Sequence, residues 1–271
     1  MHLVALLSLP FLEVIDMKKL IQNKLKHIES EYNVQIVYAC ESGSRAWEFA
    51  SPDSDYDVRF IYVRPFSEYI RLDGTRDVIE YEINDVYDIN GWDLQKMFRL
   101  LYKHNPVIFE WADSPVVYKT SSEWEKIKAV LPEYTSKKSM LYHYLAMMKH
   151  NLFAYFKTDY VLLKKYLYVL RPLLACRWLM NKSTPPPVSF LKLCDAVLPK
   201  ELEGDIAKLL EAKRQMVEKI VSPRIKALDD FITDQREQIE TVLSAMPKEA
   251  PYSWEKLNQL FAEIVMERRK K

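Results

Sequence analysis

At 271 residues, 49% of them hydrophobic and 13% aromatic, the chain is too apolar to be disordered and long enough to bury one large core or two modest ones. A formal net charge of +1 excludes bulk electrostatic attraction to nucleic acid, yet the sum conceals a split: residues 1–136 carry 15 Lys and Arg against 22 Asp and Glu, and residues 137–271 carry 24 against 16. The first half is suited to holding cations and the second to holding phosphates, unless the second simply has lysine-rich solvated helix faces.

Leu3 to Leu12 is apolar but lacks the basic flank of a signal peptide and is too short to span a bilayer. Met17 then opens a lysine-rich segment, so residues 1–16 are expected to be an extension, either an upstream start-codon artefact or a loosely held arm. From Lys18 to Glu31 the apolar residues Leu20, Ile21, Leu25 and Ile28 fall at helical spacing. Short β-branched runs follow at Val34–Ala39 and Val58–Val63, and Val78–Ile83 with Val86–Ile89 reads as a hairpin across Asn84-Asp85. Leu94, Met97, Phe98 and Leu101 mark a helix ending before Asn105-Pro106. Beyond Lys137 the pattern is helical: 140–157, 160–181, 189–197, a long run from 201 towards 246 broken at Pro223, and 254–269, with Pro185-Pro186-Pro187 separating two of them. The expected division is an α/β unit over 17–118, a linker over 119–136 and a helical unit over 137–271.

Only four glycines occur, against an average of about 7%, so each position is informative. Gly43 falls at the end of a predicted strand. A strand running into Gly43-Ser44 and then a helix lets the backbone approach a phosphate, with the Ser44 hydroxyl and the Arg45 fork as further donors, although most Gly-Ser pairs are ordinary turns. Asp55-Tyr56-Asp57 is the stronger signal. Residues two apart in a strand face one way, so Asp55 and Asp57 project together, opposite Val58 and Phe60. Paired carboxylates raise one another's pKa unless a cation lies between them, and hard oxygen ligands of this kind suit Mg²⁺, with Mn²⁺ as the alternative. Ser51-Pro52-Asp53-Ser54 is turn-like, which would account for Asp53 but not for Asp57.

These residues carry a resemblance. Glu41-Ser42-Gly43-Ser44-Arg45-Ala46-Trp47, ten intervening residues between Ser44 and Asp55, and Asp55-Tyr56-Asp57-Val58-Arg59 together resemble the signature of the DNA polymerase β-like nucleotidyltransferase superfamily. More narrowly, they are similar to bacterial and phage nucleotidyltransferases linked with RNA repair. The resemblance extends through Gly91-Trp92-Asp93-Leu94, Asn105-Pro106, Glu110-Trp111, Ser114-Pro115 and Lys164 to Pro172. It implies an α+β fold, a small mixed-sheet palm-like domain followed by an all-helical domain, and a two-metal transfer of a nucleoside monophosphate from a triphosphate to a hydroxyl, such as an RNA or tRNA end, with pyrophosphate leaving.

The resemblance implies Asp55 and Asp57 as shared metal ligands and a third acid on a neighbouring strand. Asp88 is the candidate, with Asp93 as rival; Asp93 opens a helix, where aspartate more often caps. Glu80 and Glu82 are weaker candidates. Gly43, Ser44 and Arg45 would hold phosphates, and Arg59 would either contact phosphate or tie a carboxylate in place. Lys164, Tyr168 and Arg171 recur at helical spacing and either meet triphosphate and base or form a basic solvated face. Tyr142 and Tyr144 are expected in the core. One departure stands out: relatives of this kind usually have glycine where this chain has Glu48, which would strain a left-handed turn and place negative charge near phosphate.

The histidines lack HxH or HExxH spacing, no Walker A sequence occurs, and Cys40, Cys176 and Cys194 stand singly, which fits neither zinc nor disulfides and suits a reducing, cytoplasmic protein without a membrane span. Oligomeric state is not encoded legibly. Two other classes remain open on sequence: a nucleotide- or RNA-binding module that has lost turnover through Glu48, and an antitoxin-like partner of a toxin protein.

Overall fold

The computed structural model describes residues 16–215 and 221–269. Apart from Asp16, the proposed extension lies outside the described residues. The Asp16 carboxylate accepts the Lys19 amide at 3.2 Å and caps α1 (Met17–Glu31), satisfying a donor that the first helical turn leaves free. One face of α1 buries Ile21, Leu25 and Ile28 against a five-stranded sheet.

The chain then forms β1 (Gln35–Glu41), α2 (Gly43–Ala46), β2 (Tyr56–Val63), α3 (Phe66–Tyr69), β3 (Val78–Ile83) and β4 (Tyr87–Asp93). α4 (Leu94–Tyr102), α5 (Val107–Ala112), β5 (Val117–Lys119) and α6 (Ser122–Val130) complete this half. Strand order is β3-β4-β2-β1-β5, with β2 and β4 parallel and the other pairs antiparallel. The mixed sheet agrees with the α+β expectation. The hairpin turn behaves as Asn84 foretold: its side-chain oxygen accepts the amides of Val86 and Tyr87, each at 2.8 Å.

Alternation gives the sheet two apolar faces. Val58, Phe60 and Tyr62 pack with Ile36, Ala39 and Ile89 under α1, while Ile61 and Val63 face a larger core shared with α4 and the helical half. Asp57 and Arg59 have the parity of Ile61, so the acidic pair opens on the side where the helices lie.

The second half contains α7 (Lys137–Tyr155), β6 (Tyr160–Leu162), α8 (Lys164–Asn181), α9 (Phe190–Val197), α10 (Glu203–Arg214), β7 (Val221–Pro223), α11 (Lys226–Ala245) and α12 (Glu255–Arg269). The helix expected from Tyr160 begins only at Lys164, because Tyr160–Leu162 pairs with Val221–Pro223 as a two-stranded ribbon. Such pairing joins segments sixty residues apart and leaves no local signature. α7 and α8 pack together, with α9, α10 and α11 against α8.

α12 instead returns to α3, α4 and α6 of the first half. Leu257, Ile264 and Val265 are buried there, Trp254 stacks on Tyr102 at 3.6 Å between ring centroids, and the Arg268 guanidinium donates to the Val63 and Asn33 carbonyls. Among the described residues, no helix is long and apolar enough to cross a membrane.

Candidate active site

β1 delivers Glu41 to the foot of the site and Ser42 leads into the short helix α2. The turn is sewn to β2 at one residue: Ser42 N donates to the Asp57 carbonyl and Asp57 N donates to Glu41 Oε1, both at 2.8 Å. Gly43 has φ +56°, and a Cβ there would collide with Asp57 Oδ2 and Cγ. Only glycine permits both the left-handed backbone and this approach. The Asp57 carboxylate is therefore cradled against the turn by its neighbour's missing side chain.

Glu41, to which sequence assigns no role, is 1% exposed, receives a hydrogen bond from the Tyr118 hydroxyl, and is pushed by burial up to about 7. Asp57 is pushed up to about 6, chiefly by burial and then by Asp55 and Asp88, against the lowering effect of Arg59.

The parallel register sets Asp57 beside Asp88, and Asp93 opposite Tyr62. Asp93 is 4% exposed and caps α4, accepting the Gln95 amide at 2.8 Å and the Tyr69 hydroxyl at 3.1 Å. Glu82 pairs with Lys24 and Glu80 with Arg76, away from the acidic pair.

Two of the three candidate carboxylates, Asp57 and Asp88, are bridged by a cation of the chain itself. Among the described residues no group of three or more His, Cys, Asp or Glu side chains converges as a metal site. Arg59 lies between Asp57 and Asp88, its Nη2 donating to Asp88 Oδ2 at 2.6 Å and to Asp57 Oδ1 at 3.2 Å. Of the two roles open to Arg59 on sequence, carboxylate tie is the one its contacts support.

Ser42, Gly43, Ser44, Asp55, Asp57 and Arg59 form one side of a cavity of about 450 Å³. The other side comes from Met147, Asn151 and Tyr155 on α7 and Tyr168, Arg171 and Pro172 on α8, with Trp47 between. The α7 trio went unassigned on sequence, although its spacing of four was the available signal. Pro172 explains Asn151: proline lacks the amide that would bond the carbonyl four residues earlier, and Asn151 Nδ2 donates to that Tyr168 carbonyl at 2.8 Å instead.

Two of the cations expected at phosphate, Arg45 and Arg171, have acceptors within the protein. Arg45 donates from Nε to the Asp55 carbonyl at 3.0 Å and from Nη2 to the Ser54 carbonyl at 2.6 Å, and its guanidinium lies 3.9 Å from the Tyr56 ring centroid. It holds the loop that presents Asp55 and does not line the cavity. Arg171 is 2% exposed; both its terminal nitrogens lie 3.1 Å from Glu110 Oε1, and its guanidinium sits 4.5 Å from the Trp47 ring centroid. It braces the inner wall. Lys164 does not line the cavity, whereas Lys165 lies 3.8 Å from the Tyr155 ring centroid. Tyr144 is buried, as expected, with its hydroxyl donating to Glu110, but Tyr142 is exposed.

Glu48 has φ +66°, so the position does demand the left-handed turn that glycine favours. Its carboxylate does not point at the cavity: it accepts the hydroxyl of Ser189, the cap of α9, while the neighbouring Trp47 carbonyl accepts the Phe190 amide at 3.0 Å. Glu48→Gly would trade a backbone cost of about 1 kcal/mol for a lost hydrogen bond of similar size. We therefore expect a Tm within roughly 3 °C of wild type. A larger shift in a thermal melt would mean that the strain at Glu48 and its hydrogen bond to Ser189 do not offset one another.

The chain is 41% identical over 253 residues to an uncharacterized protein, YcgL, of Bacillus subtilis strain 168, covering 93% of this chain and 97% of the relative. A nucleotidyltransferase-like protein from Exiguobacterium sibiricum 255-15 overlaps 91% of this chain and 80% of its own, at 14% identity and a TM-score of 0.31, too low to support an argument. The model of the RNA repair pathway DNA polymerase beta family matches residues 17–263. With that match running through the Gly43 turn, the paired aspartates and both walls of the cavity, the chain belongs to the RNA repair pathway DNA polymerase beta family.

Proposed function

We propose that the protein moves a nucleoside monophosphate from a nucleoside triphosphate to a hydroxyl acceptor, with an RNA end as the acceptor class its family description favours. The observation that carries this reading is the seating of Asp57 Oδ2 against Gly43, with Asp55 alongside, at one end of a cavity walled by Tyr155 and Tyr168. A carboxylate held at a backbone turn, with its pKa raised by burial, is a place where a hard cation would relieve uncompensated charge.

When bound by Asp55 and Asp57, Mg²⁺ or Mn²⁺ would supply charge to offset the triphosphate and polarise the α-phosphorus. Gly43 and Ser44 offer turn amides and a hydroxyl to the outer phosphates, and the aromatic wall offers a face for the base. The acceptor oxygen forms its bond to the α-phosphorus as the bond to the bridging oxygen breaks, pyrophosphate departs, and the acceptor's proton passes to water.

The test is purified protein with Mg²⁺, each labelled triphosphate in turn, and a panel of RNA and protein acceptors, beside an Asp55→Asn/Asp57→Asn double variant. Label transfer by the wild type alone is the expected outcome. Tight triphosphate binding with no transfer to any acceptor would sink the catalytic reading in favour of a binding module, and transfer confined to a protein acceptor would replace the RNA end.

A further inference from the structure

The acidic cluster contains a cation of its own. Arg59 is half-sunk between β2 and β4, where its Nη1 donates to the Asp88 carbonyl at 2.6 Å and to the Val58 carbonyl at 3.1 Å. Its Nη2 takes Asp88 Oδ2 and Asp57 Oδ1. The remaining Asp88 oxygen, Oδ1, accepts the Asn90 side-chain amide at 3.0 Å. Thus both Asp88 oxygens and one of the two Asp57 oxygens already have a donor. Among the described residues Asp57 Oδ2, the oxygen seated against Gly43, is the exception, and Asp57, Gly43 and Asp55 all line the cavity.

A guanidinium stays charged at any physiological pH and is fixed here by four acceptors, two of them backbone carbonyls set by strand register. A second divalent ion between Asp57 and Asp88 would have to enter the space that Arg59 fills and take Asp88 Oδ2 and Asp57 Oδ1 from its guanidinium. Removing one member of a sheltered ion pair leaves the other uncompensated, which opposes that exchange.

We infer that Arg59 is the built-in second cation of this site, so that the protein takes a single divalent ion per bound nucleotide, on Asp55 and Asp57, with Asp88 acting through Arg59 as a positioning residue. The inference rests on the nucleotide-binding reading above. It differs from the two-ion arrangement in what each residue does: Asp88 orients Arg59 and does not ligate metal, and Arg59 tethers Asp57 Oδ1 so that Oδ2 points at the ion.

The experiment counts ions without turnover. The full chain is dialysed against Mn²⁺ and α,β-methylene-ATP, which cannot release pyrophosphate. Bound Mn²⁺ and bound nucleotide are measured together, and the Mn²⁺ resonance is examined for the coupling expected of two ions about 4 Å apart. Wild type is expected to hold one Mn²⁺ per nucleotide with an uncoupled spectrum. Arg59→Met is expected to admit a second, coupled ion, and Asp88→Asn to keep one ion with affinity within about threefold of wild type.

Two coupled ions in the wild type would overturn the inference while leaving the nucleotide reading intact. So would a tenfold or greater loss of Mn²⁺ affinity in Asp88→Asn, about 1.4 kcal/mol, since that variant keeps the Arg59 charge and a side chain of the same shape. Absence of both nucleotide and Mn²⁺ from the wild type would overturn the nucleotide reading and the inference with it.

Discussion

Replacing Asp57 with asparagine is expected to lower nucleotide transfer by at least about a thousandfold, the scale seen when a group that stabilises developing charge is removed, while the protein stays folded. Asparagine preserves the shape that fits against Gly43 and leaves the Asp57 backbone contacts to Ser42 and Glu41 in place. It removes the charge that the proposed cation requires.

Stability should move the other way. Burial holds the folded pKa of Asp57 at about 6, above its ordinary 3.8, so the folded state binds this proton more readily than the unfolded chain does. Stability therefore falls as pH rises from 3.8 through 6, and above 6 the ionised carboxylate is a net cost in the metal-free protein. Asp57→Asn should melt at or above the wild-type temperature at pH 7.5 without metal, and lose this part of the pH dependence. Thermal melts at pH 5 and 7.5 with and without Mg²⁺ check both signs. Gly43→Ala provides the contrast: it should also abolish transfer but lower stability, because the methyl group collides with Asp57 and the φ of +56° is unfavourable for alanine by roughly 1–2 kcal/mol.

The largest loss of stability is expected from Glu110→Ala. Glu110 is buried at the junction of α5, α7 and α8, receiving Tyr144 Oη at 2.8 Å and both Arg171 nitrogens at 3.1 Å. Removing it strands a buried guanidinium and a buried phenol together, a cost of about 3–5 kcal/mol, or a fall in Tm of roughly 10 °C. Because Arg171 braces Trp47, the cavity wall should loosen as well, and nucleotide affinity should fall even below the melting range. Glu110→Leu with Arg171→Met should recover part of the stability, since the apolar pair strands no charge and leaves only the Tyr144 hydroxyl without its acceptor. A double-mutant cycle read by chemical denaturation measures the coupling, and a coupling near zero would show that the pair does not act as a unit.

How much of this was legible in the sequence differs from residue to residue. Asp55, Asp57 and Gly43 could be singled out because strand alternation and the rarity of glycine act locally. Asp88 could be ranked above Asp93 because helix capping is likewise local. Arg45, Arg171 and Arg59 illustrate the opposite case. Each is a long cation, and sequence could say that phosphate would suit it. What it touches depends on which acceptors the fold brings within reach: the Ser54 and Asp55 carbonyls for Arg45, Glu110 for Arg171, Asp88 and Asp57 for Arg59. Glu48 belongs with them. The need for a left-handed turn was readable, but the carboxylate's partner, Ser189, lies 141 residues away.

By itself, then, the sequence determined most of the elements and singled out the Gly43 turn and Asp55-Tyr56-Asp57 as the candidate site, because hydrophobic period, turn residues and strand parity are properties of a few neighbouring residues. The tertiary structure decided which charges remain available. Only the approach of α8 to α5 and the parallel pairing of β2 with β4 commit Arg171 to Glu110 and Arg59 to Asp88, and both commitments follow from long-range geometry that no local pattern encodes. It also decided that α12 binds the first half and not the helices that precede it, because an amphipathic face names its period but not its partner.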